Sequence, residues 1–242
     1  MKFEQSNIVG IRQIGFKNEI SNYGILSFFE DVSGIHSDSI GYGINDIQTK
    51  KVAWLLMDWT LKVFKRPKCG EKVLARTWAI RDDKPSYQVF RKFDLRDEKG
   101  DLFATATSKW ILFSLETNKI TKISTEISEL YKPEENSKDV QSDIIKLKEP
   151  SSYDSVLDYK IRRADIDINQ HLHNLNYLNL AYEILPENVY NNSELNNVHI
   201  MYKHQIKYGE TVKCFYKFEN NKHIVWMKSN DEKILHSIIE LY

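Results

Sequence analysis

Cysteine is scarce in this sequence: there are two among 242 residues, Cys69 and Cys214, far apart and in no C-x-x-C pair. That scarcity argues against a thiolate zinc site and against a disulfide-stapled secreted scaffold, and it fits a reducing compartment. Neither sign of charge is in excess. Lys plus Arg is 34 and Asp plus Glu is 34, a formal net charge of zero, whereas a nucleic-acid binder usually carries a basic surplus. Long apolar runs are also missing. No stretch approaches the ~20 apolar residues of a membrane span, and the opening Met1-Lys2-Phe3-Glu4-Gln5-Ser6-Asn7 lacks the apolar core of a secretory signal. These absences predict a cytoplasmic protein with no membrane span, no lipid anchor and no nucleic-acid partner. What is present is ordinary for a globular chain, 41% hydrophobic and 28% charged. The length allows one large domain or two small ones with a substantial core.

One clear shift in composition runs from Ile127 to Ser155, including Lys132-Pro133-Glu134-Glu135-Asn136-Ser137-Lys138-Asp139 and Glu149-Pro150-Ser151-Ser152. Polar residues, two prolines and no periodicity predict a linker over 129–155, between an N-terminal domain, 1–128, and a C-terminal domain, 156–242. Both halves show the same order of signals. The first has a strand-like run from Ile8 to Phe16, then a helix capped by Ser21 or Asn22 with Ile25, Phe28, Phe29, Val32 and Ile35 on one face. Four β-rich runs follow, Val52 to Phe64, Lys72 to Arg81, Tyr87 to Leu95 and Phe103 to Phe113, with Asp97-Glu98-Lys99-Gly100 as a turn. The second half has a run from Leu157 to Arg163, then a helix with Asn174 as cap and Leu175, Leu178, Ala181, Tyr182 and Leu185 as its apolar face, ended by Pro186. Its later runs are Val198 to Ile206, Thr211 to Phe218, His223 to Lys228 and Ile234 to Leu241. Gly70-Glu71-Lys72-Val73 and Gly209-Glu210-Thr211-Val212 fall at the same place in the two halves, which points to an internal duplication. A single long apolar helix needs a cover, and a curved antiparallel sheet supplies one. The expected fold is therefore α+β, a tandem (double) hot-dog with one sheet wrapped around one helix in each half.

The densest polar cluster is Ala164-Asp165-Ile166-Asp167-Ile168-Asn169-Gln170-His171-Leu172-His173-Asn174. Asp165, Asp167, Asn169, His171 and His173 occupy the odd positions, and Ile166, Ile168 and Leu172 lie between them. In an extended segment the polar set shares one face, with neighbours ~6.5 Å apart. The segment feeds a helix, whose free N–H groups favour a developing negative charge. These parts suit thioester hydrolysis, which needs an activated water or a carboxylate nucleophile, plus donors to the oxyanion. The thiol leaving group, with a pKa near ~8.5, needs little acid assistance. Asp167 can serve as base or nucleophile, Asn169 can orient water or bind the carbonyl oxygen, and His171 can shuttle protons or stabilise the tetrahedral intermediate. The same pattern also reads as an amphipathic edge strand with turn and capping chemistry. A metal site on His171, His173 and a carboxylate lacks a distant third ligand, so no metal is expected.

The run Asp165-Ile-Asp167-Ile-Asn169-Gln170-His171-Leu-His173-Asn174-Leu-Asn176-Tyr177 resembles the D-x-D-x-N-x-H-V-N-N-x-x-Y signature of plant-type and bacterial acyl-acyl carrier protein (acyl-ACP) thioesterases. Trp54-Leu-Leu-Met-Asp-Trp-Thr-Leu-Lys-Val-Phe-Lys-Arg-Pro67 with Gly70-Glu71, and Ala104-Thr105-Ala106-Thr107-Ser108-Lys109-Trp110, are similar to two further stretches of that family, in the same order. The resemblance covers nearly the whole chain. It implies a double hot-dog enzyme of fatty acid biosynthesis that hydrolyses fatty acyl-ACP, with no metal or organic cofactor and with Asp167, Asn169 and His171 as catalytic residues. There are two departures. His173 replaces the first Asn of the N-N pair, and the Glu of a Y-x-x-E segment falls on Gln205 in Tyr202-Lys203-His204-Gln205-Ile206. Gln205 can position a water but cannot take its proton. Asp167 would then be the base, and Ile206 excludes a thiol nucleophile at its place. By strand alternation His204 faces away from Gln205.

The partner that the resemblance implies, acyl carrier protein, is acidic, so a basic docking surface is expected. Arg162 and Arg163 adjoin the polar segment and are the candidates to grip it; Lys62, Lys65, Arg66 and Lys68 form a second basic group. Phe28, Phe29, Trp54 and Trp59 are candidates to line an acyl tunnel and equally good candidates for plain core. Competing readings are an acyl-CoA thioesterase, a hydroxyacyl dehydratase, a non-catalytic acyl-binding hot-dog protein and a structural interaction protein. Pairing of free sheet edges would allow a homodimer.

Overall fold

The structure, a computed structural model, describes residues 1–81, 86–135 and 144–242, so Asn136 to Asp139 of the expected linker lie outside the described residues. The chain divides into two compact units, residues 1–145 and 146–242. The first contains β1 (Phe3–Ile8), α1 (Asn22–Ser39), α2 (Ile47–Lys50), β2 (Val52–Val63), β3 (Lys72–Ala79), β4 (Val89–Arg96), β5 (Leu102–Ser114), β6 (Lys119–Thr121) and α3 (Thr125–Leu130). The second contains β7 (Ser155–Lys160), α4 (Asn174–Glu183), α5 (Glu187–Asn192), β8 (Asn197–Tyr202), β9 (Thr211–Glu219), β10 (Lys222–Ser229) and β11 (Leu235–Leu241).

In the first unit the antiparallel order is β1-β3-β4-β5-β2, with β6 added to β5. Helix α1 packs on β1 and β3. Ser21 is its cap: the Oγ accepts the Gly24 N–H at 3.0 Å. Ile25, Phe28, Phe29 and Val32 are buried as the 3.6-residue period requires, while Ile35 of the expected face is exposed. Phe29, Trp59 and Phe93 form an aromatic core, with the Trp59 and Phe93 rings 4.8 Å apart. Asp58 and Lys109, one from each of two stretches that carry the resemblance, form an ion pair across β2 and β5 beside a bulge. The turn at Asp97 to Gly100 forms as expected, closed by the Gly100 N–H to the Asp97 carbonyl at 3.1 Å.

In the second unit the order is β8-β11-β10-β9-β7, again antiparallel. Helix α4 packs on β11, and Leu175, Leu178 and Ala181 are fully buried. Met201, Phe215, Trp226 and Ile238 form a cluster with Leu147. Each unit thus pairs one principal helix with one antiparallel sheet, the hot-dog arrangement, and the chain carries it twice.

Two expected strands are displaced. The run Ile8 to Phe16 is not a strand: β1 ends at Ile8, and residues 10–20 form turns instead. The reason is local, since the Gln13 N–H bonds the Gly10 carbonyl and the Asn18 N–H bonds the Gly15 carbonyl, with Asn18 at φ +58°. The run Val198 to Ile206 stops at Tyr202.

The turns after β1 and β7 are copies of each other. In the first unit the Gly15 N–H bonds the Glu19 carbonyl, Ile14 bridges Ile20, and the Ile20 N–H reaches the Pro67 carbonyl. The Ser21 N–H then bonds the Gln13 carbonyl, and Ser21 caps α1. In the second, the Asp167 N–H bonds the His171 carbonyl, Ile166 bridges Leu172, and the Leu172 N–H reaches the Ile206 carbonyl. The His173 N–H then bonds the Asp165 carbonyl, and His173 caps α4. Asn18 and Gln170 share the left-handed position, at φ +58° and +64°. The Gly-Glu pairs noted in the sequence close matching turns. Glu71 Oε2 accepts the Lys68 N–H at 3.1 Å and Glu210 Oε2 the Lys207 N–H at 3.0 Å. Gly70 and Gly209 take the positive φ, +87° and +81°, that such a turn needs.

Candidate functional site

The polar segment is not extended. Residues 163–165 form a single helical turn, and Ile166 to Leu172 fold back as a tight hairpin whose ends bridge. Asp167 drives this. Its Oδ1 accepts the N–H of Asn169 at 2.8 Å and of His171 at 3.3 Å, an Asx-type turn that competes with strand formation. Its Oδ2 accepts from the Asn169 amide at 3.4 Å. The alternation argument therefore gives way. Asp167, Asn169 and His171 are gathered around one turn by hydrogen bonds rather than set in a row along a strand. Asp167 and His171 are half-buried and Asn169 is exposed.

Asp165 leaves that set. It is buried, with its carboxylate accepting the Arg162 N–H at 2.8 Å, the Arg162 guanidinium at 2.8 Å and the Tyr159 hydroxyl at 3.0 Å. Burial alone would push its carboxyl up; the Arg162 and Tyr159 donors outweigh that and hold it below the usual carboxylate range. Its carbonyl accepts from the Asn176 side chain at 3.0 Å, tying the turn to the first turn of α4.

The expected cap Asn174 is the first residue of α4, and the cap is His173, whose Nδ1 accepts the Leu175 N–H at 3.3 Å. That role leaves Nδ1 unprotonated. The Asn174 carbonyl accepts from the Tyr202 hydroxyl at 2.9 Å.

Gln205 sits in an irregular segment, exposed, so the alternation that set His204 opposite to it does not apply. Backbone bonds bring this segment to the turn: the Ile206 carbonyl accepts from Leu172, and Lys207 bridges His171. In the first unit the counterpart of Gln205 is Arg66, whose guanidinium reaches the Ile20 carbonyl and the Asn22 side chain, both at 2.9 Å. A long side chain at this position can therefore reach the turn. His236, which sequence reasoning did not single out, and Tyr177 hold the segment. Buried His236 meets the His204 carbonyl through Nδ1 at 3.0 Å, and the Tyr177 hydroxyl approaches the same carbonyl at 3.5 Å. Burial pushes the His236 imidazole down and the Tyr177 hydroxyl up, so both stay neutral near pH 7. Tyr177 stood at the end of the signature; His236 had no sequence signal.

Arg162 and Arg163 differ. The Arg162 guanidinium is engaged by Asp165 and stacks near Tyr159, whereas exposed Arg163 leans on Tyr208, 5.5 Å from the ring. Among the described residues no group of three or more His, Cys, Asp or Glu is placed to hold a metal ion. Among them, too, no helix is long and apolar enough to cross a membrane.

Two sheet-and-helix units in tandem, with Asp167, Asn169 and His171 on one hydrogen-bonded turn before the principal helix of the second, define a double hot-dog protein. The chain belongs to the acyl-ACP thioesterase family: residues 1–131 match its N-terminal domain and residues 148–240 its C-terminal domain. An Arabidopsis thaliana protein named oleoyl-acyl carrier protein thioesterase 1, chloroplastic, is 24% identical over 230 residues, which cover 88% of this chain and 62% of that protein. The chain thus spans less than two thirds of that relative's length. Among solved structures, the 12:0-ACP thioesterase from Umbellularia californica superposes with a TM-score of 0.85 at 17% identity, covering 99% of this chain and 96% of that one. An acyl-ACP thioesterase from Bacteroides thetaiotaomicron gives 0.83 at 18% identity, covering 99% and 96%. At these identities the superpositions speak for the fold.

Proposed function

We propose that this chain hydrolyses the thioester of fatty acyl-ACP, releasing a free fatty acid and the carrier thiol. The observation that carries the reading is the gathering of Asp167, Asn169 and His171 around one turn at the start of α4, with the Gln205 segment bonded beside it. Asp167 takes a proton from water as the water oxygen attacks the thioester carbon. Gln205 orients that water. The second N–H of the Asn169 amide, beside the one given to Asp167, meets the oxyanion, with His171 stabilising the tetrahedral intermediate. The C–S bond then breaks, and the leaving thiolate takes up the proton that Asp167 had accepted, which restores the carboxylate. Arg163, exposed and hydrogen-bonded to the Tyr208 hydroxyl at 3.3 Å, is a cation that can meet the acidic carrier, while the Arg162 guanidinium holds Asp165. One exposed and one buried free thiol fit a cytoplasmic setting.

The test is free-thiol release from acyl-ACP and acyl-CoA carrying short, medium and long chains. Asp167→Asn or His171→Ala should lower turnover by at least ~100-fold, and Gln205→Ala by less than ~10-fold, because it orients water without taking the proton. Equal activity in wild type and the first two variants would refute the site. Binding of acyl-ACP without release would instead support a non-catalytic acyl-binding protein.

A further inference from the structure

The turn that carries the candidate site has a backbone copy in the first unit with none of its side chains. Gly15 stands where Asp167 does, Lys17 where Asn169 does, Glu19 where His171 does, and Arg66 where Gln205 does. Glycine has no group to accept a proton, and a lysine offers no neutral amide, so the copy cannot run the same chemistry. It keeps a surface. The turn tip is an exposed apolar residue in both units, Phe16 (59% exposed) and Ile168 (75% exposed). Exposed cations stand on or beside the segments bonded to each turn: Lys17, Lys62, Lys65 and Lys68 in the first unit, and Arg163, Lys203 and Lys207 in the second. Lys17 lies 5.7 Å from the Phe16 ring and Lys62 lies 5.4 Å from the ring of Phe64, itself 52% exposed. Glu19 and Glu71 offset part of this charge and leave the four lysines in excess; Glu71 turns Oε2 onto the Lys68 N–H. Arg66, bonded to Ile20 and Asn22, fixes the turn rather than facing outward.

We propose that residues 10–20 and 62–68 form a second, non-hydrolytic docking surface for the acidic carrier protein, an inference that rests on the functional reading above. Charge complementarity on a shared frame supports it. The first unit presents the same combination, an apolar turn tip among cations, on the same hydrogen-bonded scaffold through which the second unit would receive its carrier. A chain of this kind binds two carriers and hydrolyses one.

Native mass spectrometry at low ionic strength, with a carrier whose acyl group is joined by a non-hydrolysable amide, reads the stoichiometry directly. Wild type should bind two carriers. Lys17→Glu with Lys65→Glu should bind one, and so should Lys65→Glu with Lys68→Glu, which leaves the turn untouched. Arg163→Glu should also bind one. A single carrier on wild type that survives both lysine pairs, while thiol release is intact, overturns this proposal and leaves the functional reading standing. So does a wild type that binds one carrier and sediments with phosphatidylglycerol vesicles through these lysines, since the surface would then serve lipid. No bound carrier together with no thiol release overturns the functional reading and this proposal with it.

Discussion

Replacing Asp165 tests how the polar turn is held. The carboxylate satisfies three donors: the Arg162 N–H, the Arg162 guanidinium and the Tyr159 hydroxyl. Arg162 is 69% exposed, so its guanidinium regains water in Asp165→Ala and adds little to the loss. The N–H and the hydroxyl are less exposed, and each costs about 1 kcal/mol when left without an acceptor. The sum is about 2 kcal/mol, or a fall of roughly 4–8 °C in Tm for a chain of this size. Asp165→Asn should cost under about 1 kcal/mol, because a neutral amide oxygen can keep the backbone bond. The first unit shows this, since Gln13 Oε1 accepts the Gly10 N–H at 3.1 Å in the same place. Turnover should follow the same order, because Asp165 anchors the turn that carries Asp167 and His171. The folded-state carboxyl is held below its ordinary value, so its stabilisation is present above the unfolded value of about 3.9 and is lost as pH falls through the folded one. Wild type and Asp165→Ala should therefore converge in Tm toward strongly acid pH. Calorimetry over a pH series, with thiol release on the same samples, measures all of this. Asp165→Asn as damaging as Asp165→Ala, or a Tm gap that persists in acid, would refute the reasoning.

Other consequences follow from burial. Cys69 is exposed, while burial, then the charge of Asp158, pushes the Cys214 thiol up to about 12, so one thiol should react with a disulfide reagent in the native protein and the second only after unfolding. His36 is held down to about 4 by burial and by the Arg91 guanidinium 2.7 Å from its Nδ1. The unfolded chain therefore binds a proton that the folded chain refuses between pH ~6.5 and about 4, and Tm should drop across that window, less so in His36→Gln. Trp59→Ala should cost about 3–5 kcal/mol, seen as a large Tm loss, because the ring is fully buried against Phe29 and Phe93.

The tandem plan was legible because its signals are local and periodic. Apolar spacing placed α1 and α4, alternation placed most strands, and the repeated Gly-Glu pair marked both the duplication and, through φ, the turn that needs glycine. The composition of the polar segment was also readable, because Asp, Asn and His cluster there without help from distant residues. Its shape was not. Alternation suggested a strand face, but a carboxylate two residues before a free N–H prefers to close a turn, and that contest is settled by which backbone groups find partners in the folded chain. Partners distant in sequence settled it here. Ile206 meets Leu172, Lys207 meets His171, and buried His236 holds the His204 carbonyl. Those same bonds sent Asp165 inward to anchor the turn, gave the cap to His173 rather than Asn174, and ended β8 early enough to bring Gln205 alongside. Sequence by itself determined which side chains and which repeated units the protein has. Tertiary structure decided which of those side chains meet, because hydrogen-bond partners distant along the chain come within reach only once the sheets have formed.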